Sequence, residues 1–160
     1  MLAVYQALMQ AGRAHGIANA GYRAIESLRL EKGYRAWGSD IGPDHTPLEA
    51  GLGWIVKLDK GAPFVGADAL RRQKEHGVSR KLVGFKLGGK VFPRPGYGVF
   101  HEGRQVDVVR SGTVSPSLGI AIGTTYLPAP AAKPGTRFEV ECRGERQEAE
   151  VVRLPFYTQG

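Results

Sequence analysis

From residue 78 onward the chain is cut into short alternating stretches, separated by Gly, Pro and Ser at intervals of about ten residues. KLVGFKL (81–87), YGVFHEG (97–103), QVDVVRSG (105–112), IAIGTTYL (120–127), RFEVECRG (137–144) and QEAEVVRL (147–154) carry a period of two. That period sends successive side chains to opposite faces of a strand, so one face can be buried. Short strands with close turn signals predict a small antiparallel barrel or sandwich. HEGR (101–104) and RGER (143–146) are the two hairpin candidates.

Upstream the texture is mixed. Leu2, Tyr5, Leu8 and Met9 share one face of a helix that Gly12 is placed to end. A second helical candidate begins near Gly21 and includes Ala24, Ile25 and Leu28, although Leu28-Arg29-Leu30-Glu31 also alternates as a strand would. GSDIGPDHTPLEAG (38–51) has loop chemistry, WIVKL (54–58) reads as a strand, and a helix is predicted from about Ala67 to Glu75. Asp68 stands in the first turn of that helix and Gly77 at its end. The fold class is therefore α+β, dividing near residue 78 into a mixed part (1–78) and an all-β part (79–160).

Composition narrows the partners. The net charge is +7, and residues 61–110 hold ten Lys/Arg against four Asp/Glu. That field suits anions, yet the cations occur as singles and pairs, as on a solvated surface. Cys142 is alone, which leaves no intramolecular disulfide and no thiolate cluster for a metal. His15, His45, His76 and His101 fall in four separate segments without ligand spacing, so no metal is expected. No nucleotide-binding glycine fingerprint is present, so FAD and ATP are not expected either. Residues 1–12 lack the basic start of a signal peptide, and no apolar stretch is long enough to span a membrane. A soluble, cytoplasmic protein is the expectation.

SLRLEKGYRAWGSDI, TPLEAGLGWIVKLDK, FVGADAL, RSGTVSPSLGIAIG and VVRLPFY, in that order, resemble the C-terminal half of the glycine-cleavage T-protein family. That family comprises tetrahydrofolate-dependent aminomethyltransferases and the folate domains fused to dimethylglycine and sarcosine dehydrogenases. The resemblance implies that 1–78 is the C-terminal portion of a folate-binding domain and 79–160 a C-terminal β-barrel. It implies transfer of a one-carbon unit, as an aminomethyl group or an iminium from an N-methyl amine, to tetrahydrofolate. The aminomethyltransferases read Ala-Arg-Asp-Ser/Thr-Leu-Arg-Leu-Glu where this chain has Ala24 to Glu31. Ile25 replaces the first arginine, so the pterin contact of that side chain does not carry over, and the form SLRLEKGYRAWG (27–38) is closer to the dehydrogenase-fused branch. The family's aspartate near the folate N10 lies upstream of every block quoted, so the resemblance implies a half that is incomplete for catalysis alone.

Such chemistry needs a flat slot and cations for a glutamate tail. Tyr34, Arg35 and Trp37 are the candidates for the slot, because aromatic faces and a guanidinium plane stack on flat rings. The competing expectation is that Tyr34 and Trp37 pack in the core with Arg35 outside. Arg110 and Arg94 are the candidate cations. Glu31 and Glu49 are expected to be structural, and the run SGTVSPSLG (111–119) is either an anion nest or simply a turn. Phe85, Phe92, Tyr97 and Phe100 are expected to point mostly inward, which argues against nucleic acid. The rival function is a non-catalytic module that docks a partner. An exposed sheet edge would favour a homodimer or a complex with a separately encoded N-terminal half or flavin subunit.

Overall fold

The computed structural model describes residues 1–89 and 91–158. Among these, three α-helices precede seven strands: α1 (Leu2–Gly12), α2 (Tyr22–Glu31), α3 (Ala67–His76), then β1 (Arg80–Leu87), β2 (Gly98–His101), β3 (Arg104–Val108), β4 (Ser111–Val114), β5 (Ala121–Pro128), β6 (Arg137–Cys142) and β7 (Glu145–Val152). All pairings are antiparallel, in the order β3-β2-β6-β7-β1-β5-β4. The sheet curls into a half-barrel. Its open side is drawn together by Asp107 of β3, whose carboxylate accepts from the Tyr126 amide of β5 at 2.8 Å and from Thr125 Oγ1 at 3.2 Å.

The period-two pattern accounts for the inside. Val83, Phe85, Val99, Leu127, Phe138, Val140 and Val151 meet in one cluster, each contributing about 1.5–3 kcal/mol of burial. Phe85 lies edge-on to Phe138, with centroids 5.3 Å apart. It also lies over its cross-strand partner Gly123, where a Cβ would come within 2.6 Å of the ring. Cys142 is a buried free thiol in this core. Both expected hairpins form. Glu102-Gly103 and Arg143-Gly144 all have positive φ, the conformation of a two-residue turn whose twist matches the strands. Of the four aromatics expected inside, Phe85 is fully buried, Tyr97 packs partly against the core and Phe92 is exposed. Phe100 is half-buried under the Arg146 guanidinium at 4.1 Å.

β5 is buried on both faces. Its inward residues join the core, while Thr124 and Tyr126 are covered from outside by the 34–50 loop. β1 is crossed similarly: Leu154 passes over Gly84, where an added Cβ would lie 2.6 Å from its side chain.

The upstream region departs from expectation in one place and settles one open alternative. WIVKL is not a strand. Gly53–Ile55 is a 3-10 turn whose amides bond locally, Ile55 N–H to Leu52 at 3.1 Å and Val56 N–H to Gly53 at 3.2 Å. Among the described residues no strand pairs with it, and Trp54 stays 76% exposed. The ambiguous 27–31 stretch is the end of α2. Helix geometry there buries Leu30 and aims Arg29 and Glu31 at the barrel. α1 forms as predicted but buries none of its residues. Tyr5, bonded to Asn19 at 2.9 Å, ties it to the segment that follows. No helix of the described residues is long and apolar enough to cross a membrane.

Candidate functional site

The end of α2 buries Leu30 and is fixed to the barrel mainly by charged and hydrogen-bonded groups. Arg29 donates to Asp40 Oδ2 at 2.6 Å, to the Tyr34 carbonyl at 3.2 Å and to Ser111 Oγ of β4 at 2.8 Å, and pairs with Glu26. Asp40 is fully buried. Its carboxylate also accepts from the Ala36 amide at 2.9 Å and from Thr124 Oγ1, and its carbonyl accepts from Tyr126 OH at 3.0 Å. A buried charge is tolerated only when paired and hydrogen-bonded in this way.

Glu31, 2% exposed, accepts from Ser115 Oγ, from the Ser117 amide at 3.0 Å and from Ser117 Oγ at 2.8 Å. Burial alone would raise its pKa. These three donors outweigh it and hold the carboxyl below its usual range. The SGTVSPSLG run thus holds an anion, and the anion is Glu31. Glu49 accepts from the Thr46 amide at 2.9 Å while its own amide donates to Thr46 Oγ1 at 3.2 Å, the reciprocal pair of a capping box. It also takes Arg80 Nε at 3.1 Å. Burial again acts upward, and the Thr46 and Arg80 donors bring it below its usual range. Both carboxylates are structural, as expected.

The core placement expected for the 34–37 aromatics is inverted. Tyr34 and Trp37 are 68% and 73% exposed, and Arg35 turns inward. Arg35 donates to the Ala50 carbonyl at 3.0 Å and to Gly33 at 2.6 Å. The cause is the tight 36–41 turn: Asp40 N–H bonds to Ala36 at 2.9 Å and Gly38 N–H to Ile41 at 2.8 Å. That turn commits the space under the loop to Asp40 and leaves none for a ring. Arg110 is engaged within the fold, donating to Asp107 at 3.0 Å with its guanidinium 5.6 Å from the Tyr126 ring centre. Arg94 is exposed above Phe92 at 5.3 Å.

Tyr34 separates two grooves. One, of about 490 Å³, is lined by Ile25, Leu28, Lys32, Tyr34, Ser117 and Tyr157. The other, of about 410 Å³, takes in Arg35, Leu52, Trp54 and Leu154. Trp37 and Arg110 line neither. In the first groove Lys32 Nζ lies 5.2 Å from the Tyr157 ring centre, and the Tyr157 amide donates to the Glu31 carbonyl at 3.0 Å. An apolar floor, two tyrosine rings and one lysine suit a flat ring with polar edges. The sequence does not single out Tyr157 or Lys32. Their only signal was that each sits inside a quoted block. Among the described residues no group of three or more His, Cys, Asp or Glu is placed to hold a metal.

Residues 1–60 match the family model described as the GCVT N-terminal domain, and residues 80–158 match the glycine cleavage T-protein C-terminal barrel domain. The chain belongs to the glycine cleavage T-protein family. An aminomethyltransferase from Halothermothrix orenii is 50% identical over 96% of this chain and 43% of its own length. One from Shouchella clausii is 44% identical over 96% of this chain and 42% of its own. The crystal structure of glycine cleavage system aminomethyltransferase T from Bartonella henselae superposes with a TM-score of 0.87 at 34% identity, covering 97% of this chain and 43% of that one. The chain therefore spans less than half the length of these T-protein relatives.

Proposed function

We propose that this chain contributes one wall of a tetrahydrofolate site in a one-carbon transferase of the glycine-cleavage type. The observation that carries the reading is the groove between α2 and the C-terminal segment. Its floor of Ile25 and Leu28, the Tyr34 and Tyr157 rings and the Lys32 cation match the apolar faces and anionic tail of a folate. Tetrahydrofolate would supply the amine nitrogens that take up the one-carbon unit. The chain's own groups bind and orient. Glu31, held by three donors, fixes the backbone of the groove rather than moving a proton.

In this reading Tyr34 is a contact residue and Arg35 supports the loop that presents it. Trp37 and Arg110 keep a folate role only if a further polypeptide reaches them. Catalysis needs groups beyond these, and the exposed apolar surface supports their arrival from another stretch of polypeptide, in this chain or a second one. Leu2, Val4, Leu8, Tyr22, Trp37 and Trp54 all face outward. The division into 1–78 and 79–160 belongs to the same proposal, as does the finer branch assignment. The form SLRLEKGYRAWG (27–38), closer to the dehydrogenase-fused branch, supports an N-methylglycine-type donor.

Calorimetric titration with 5-formyltetrahydrofolate, a stable folate mimic, tests the site. Saturable binding is expected, weakened about tenfold by Tyr34→Ala and by Tyr157→Ala and unchanged by Trp37→Ala. No heat up to millimolar ligand would reject a folate wall in this chain alone.

A further inference from the structure

The loop that covers β5 from outside rests on it through a titratable ring, His45, which the folate wall does not use. His45 stacks on Tyr126 with ring centroids 4.6 Å apart and planes 18° from parallel. Tyr126 is fully buried beneath it and donates its OH to the Asp40 carbonyl at 3.0 Å. His45 Nδ1 is buried and, among the described residues, has no hydrogen-bond partner. Gly42 backs that atom so closely that a Cβ there would sit 3.8 Å away. Burying an idle lone pair costs less than burying a charged N–H without an acceptor. The geometry therefore suits the neutral ring, with its one N–H on Nε2.

A proton on Nδ1 would be badly placed. The charged groups that face the ring are Arg80 of β1, Arg110 of the β3–β4 connection, Asp107 of β3 and Glu49 of the loop itself. The Arg80 and Arg110 guanidinium carbons lie 5.1 and 5.6 Å from the Tyr126 ring centre. Both carboxylates are already committed, Glu49 to the Thr46 amide and Arg80, Asp107 to Arg110 and the Tyr126 amide. Asp44, next to His45, is exposed, and its carbonyl accepts from Arg80 at 2.9 Å. Tyr126, whose pKa burial pushes up to about 12, stays neutral throughout. Protonation would thus set a third cation beside two arginines and bury an N–H that meets no acceptor. Burial and the two arginines accordingly hold the His45 pKa below the ordinary imidazole value.

We propose that His45 is an acid-released latch: neutral, it holds residues 42–47 against β5; protonated, it leaves Tyr126 for water and the loop lifts while the barrel stays folded. Both ends of the loop are fixed independently of His45. Asp40 is paired with Arg29 at one end. At the other the Glu49 carbonyl accepts from the Leu82 amide at 2.8 Å, and the Ala50 carbonyl from Arg35 at 3.0 Å. Between them Pro43 and Pro47 have no N–H to give to a neighbouring strand.

The test is amide exchange of the full chain without ligand at pH 7.5 and 5.5, corrected for the intrinsic pH dependence of exchange. Glu31 and Glu49, both held below the usual carboxyl range, stay ionised over this interval. In the closed loop the His45, Thr46 and Ala50 amides donate to Gly42, Glu49 and Thr46, and these three report its opening. Their opening should rise about three- to tenfold on acidification, tenfold being the limit for a ring whose released pKa is about 6.5. The β1 and β7 amides should not change. His45→Phe keeps a flat ring on Tyr126 but takes up no proton, and it should lose most of that rise. Magnetic-resonance titration of the His45 ring in the wild-type chain needs no variant, and its midpoint should lie below about 6.5. A rise under about threefold, a Phe variant that opens with acid as the wild type does, barrel amides that open together with the loop, or a His45 midpoint at or above the ordinary value would overturn the latch. No outcome depends on whether folate binds.

Discussion

The barrel and the region before it use apolar residues in opposite ways. From β1 to β7 the alternating side chains close on one another, and Phe85, Val99, Val140 and Leu127 are lost to solvent. In α1, the 34–37 turn and the 53–55 turn, Leu2, Leu8, Trp37 and Trp54 remain outside. What holds this region to the barrel is mainly polar: the Arg29–Asp40 pair, the Glu31 cradle and the Glu49–Arg80 bond. A region anchored by hydrogen bonds keeps its apolar surface free for a ligand or a further polypeptide. One anchored by its own core cannot.

The sharpest way to break this contrast is to strike each kind of anchor. Phe85→Ala should cost about 3–5 kcal/mol of unfolding free energy by denaturant titration, through the cavity it leaves against Phe138 and Gly123. Asp40→Ala should cost a comparable amount, about 3–5 kcal/mol, because Arg29 is left without its buried partner. Limited proteolysis separates the two: Asp40→Ala should open residues 20–50 first, whereas Phe85→Ala opens the whole chain. Glu31→Gln should follow at about 1.5–3 kcal/mol, the scale of hydrogen bonds to a charged acceptor.

Acid should loosen the polar anchors. Burial, reinforced by the Arg80 and Arg110 cations, lowers the pKa of His45, which stacks on Tyr126 at 4.6 Å. Glu31 and Glu49 are also lowered. A depressed folded-state pKa contributes stability above the unfolded value that is lost as pH falls through the folded one. Thermal midpoints should therefore fall from just below the ordinary histidine range and again through the carboxylate range. Tyr126 acts at the other end, where burial pushes its pKa up to about 12. That contribution is intact below the ordinary tyrosine value and lost as pH rises toward 12. The smallest effect is the most pointed: Leu8→Ser should stay within about 0.5 kcal/mol of wild type. A loss above about 2 kcal/mol would show that α1 has a core after all.

The contrast also explains what could be read from the sequence. The barrel strands and both hairpins were legible because burial, period and turn chemistry agree there: Gly103 and Gly144 sit where the turn needs positive φ. WIVKL misled because an apolar run predicts a strand only if another strand lies beside it. For Tyr34 and Trp37 the core alternative fails because aromatic character alone does not secure burial: the space under their loop goes to Asp40, a residue with no local signal. Arg29 and Asp40 lie 11 positions apart, and Glu31 reaches Ser115 over 84. No periodicity reports such pairs. The site was legible in part: Tyr34 stood out, but Tyr157 enters only because the C-terminal segment folds back beside α2.

Amide hydrogen exchange with and without 5-formyltetrahydrofolate tests the central claim most directly. In the free chain, the account predicts slow exchange in β1 and β5–β7, intermediate exchange in α2 and nearly unprotected amides in α1. Ligand should slow α2 and residues 32–37 and leave the β6–β7 hairpin unchanged. An α1 as protected as the barrel, or ligand protection centred on β6–β7, would contradict it.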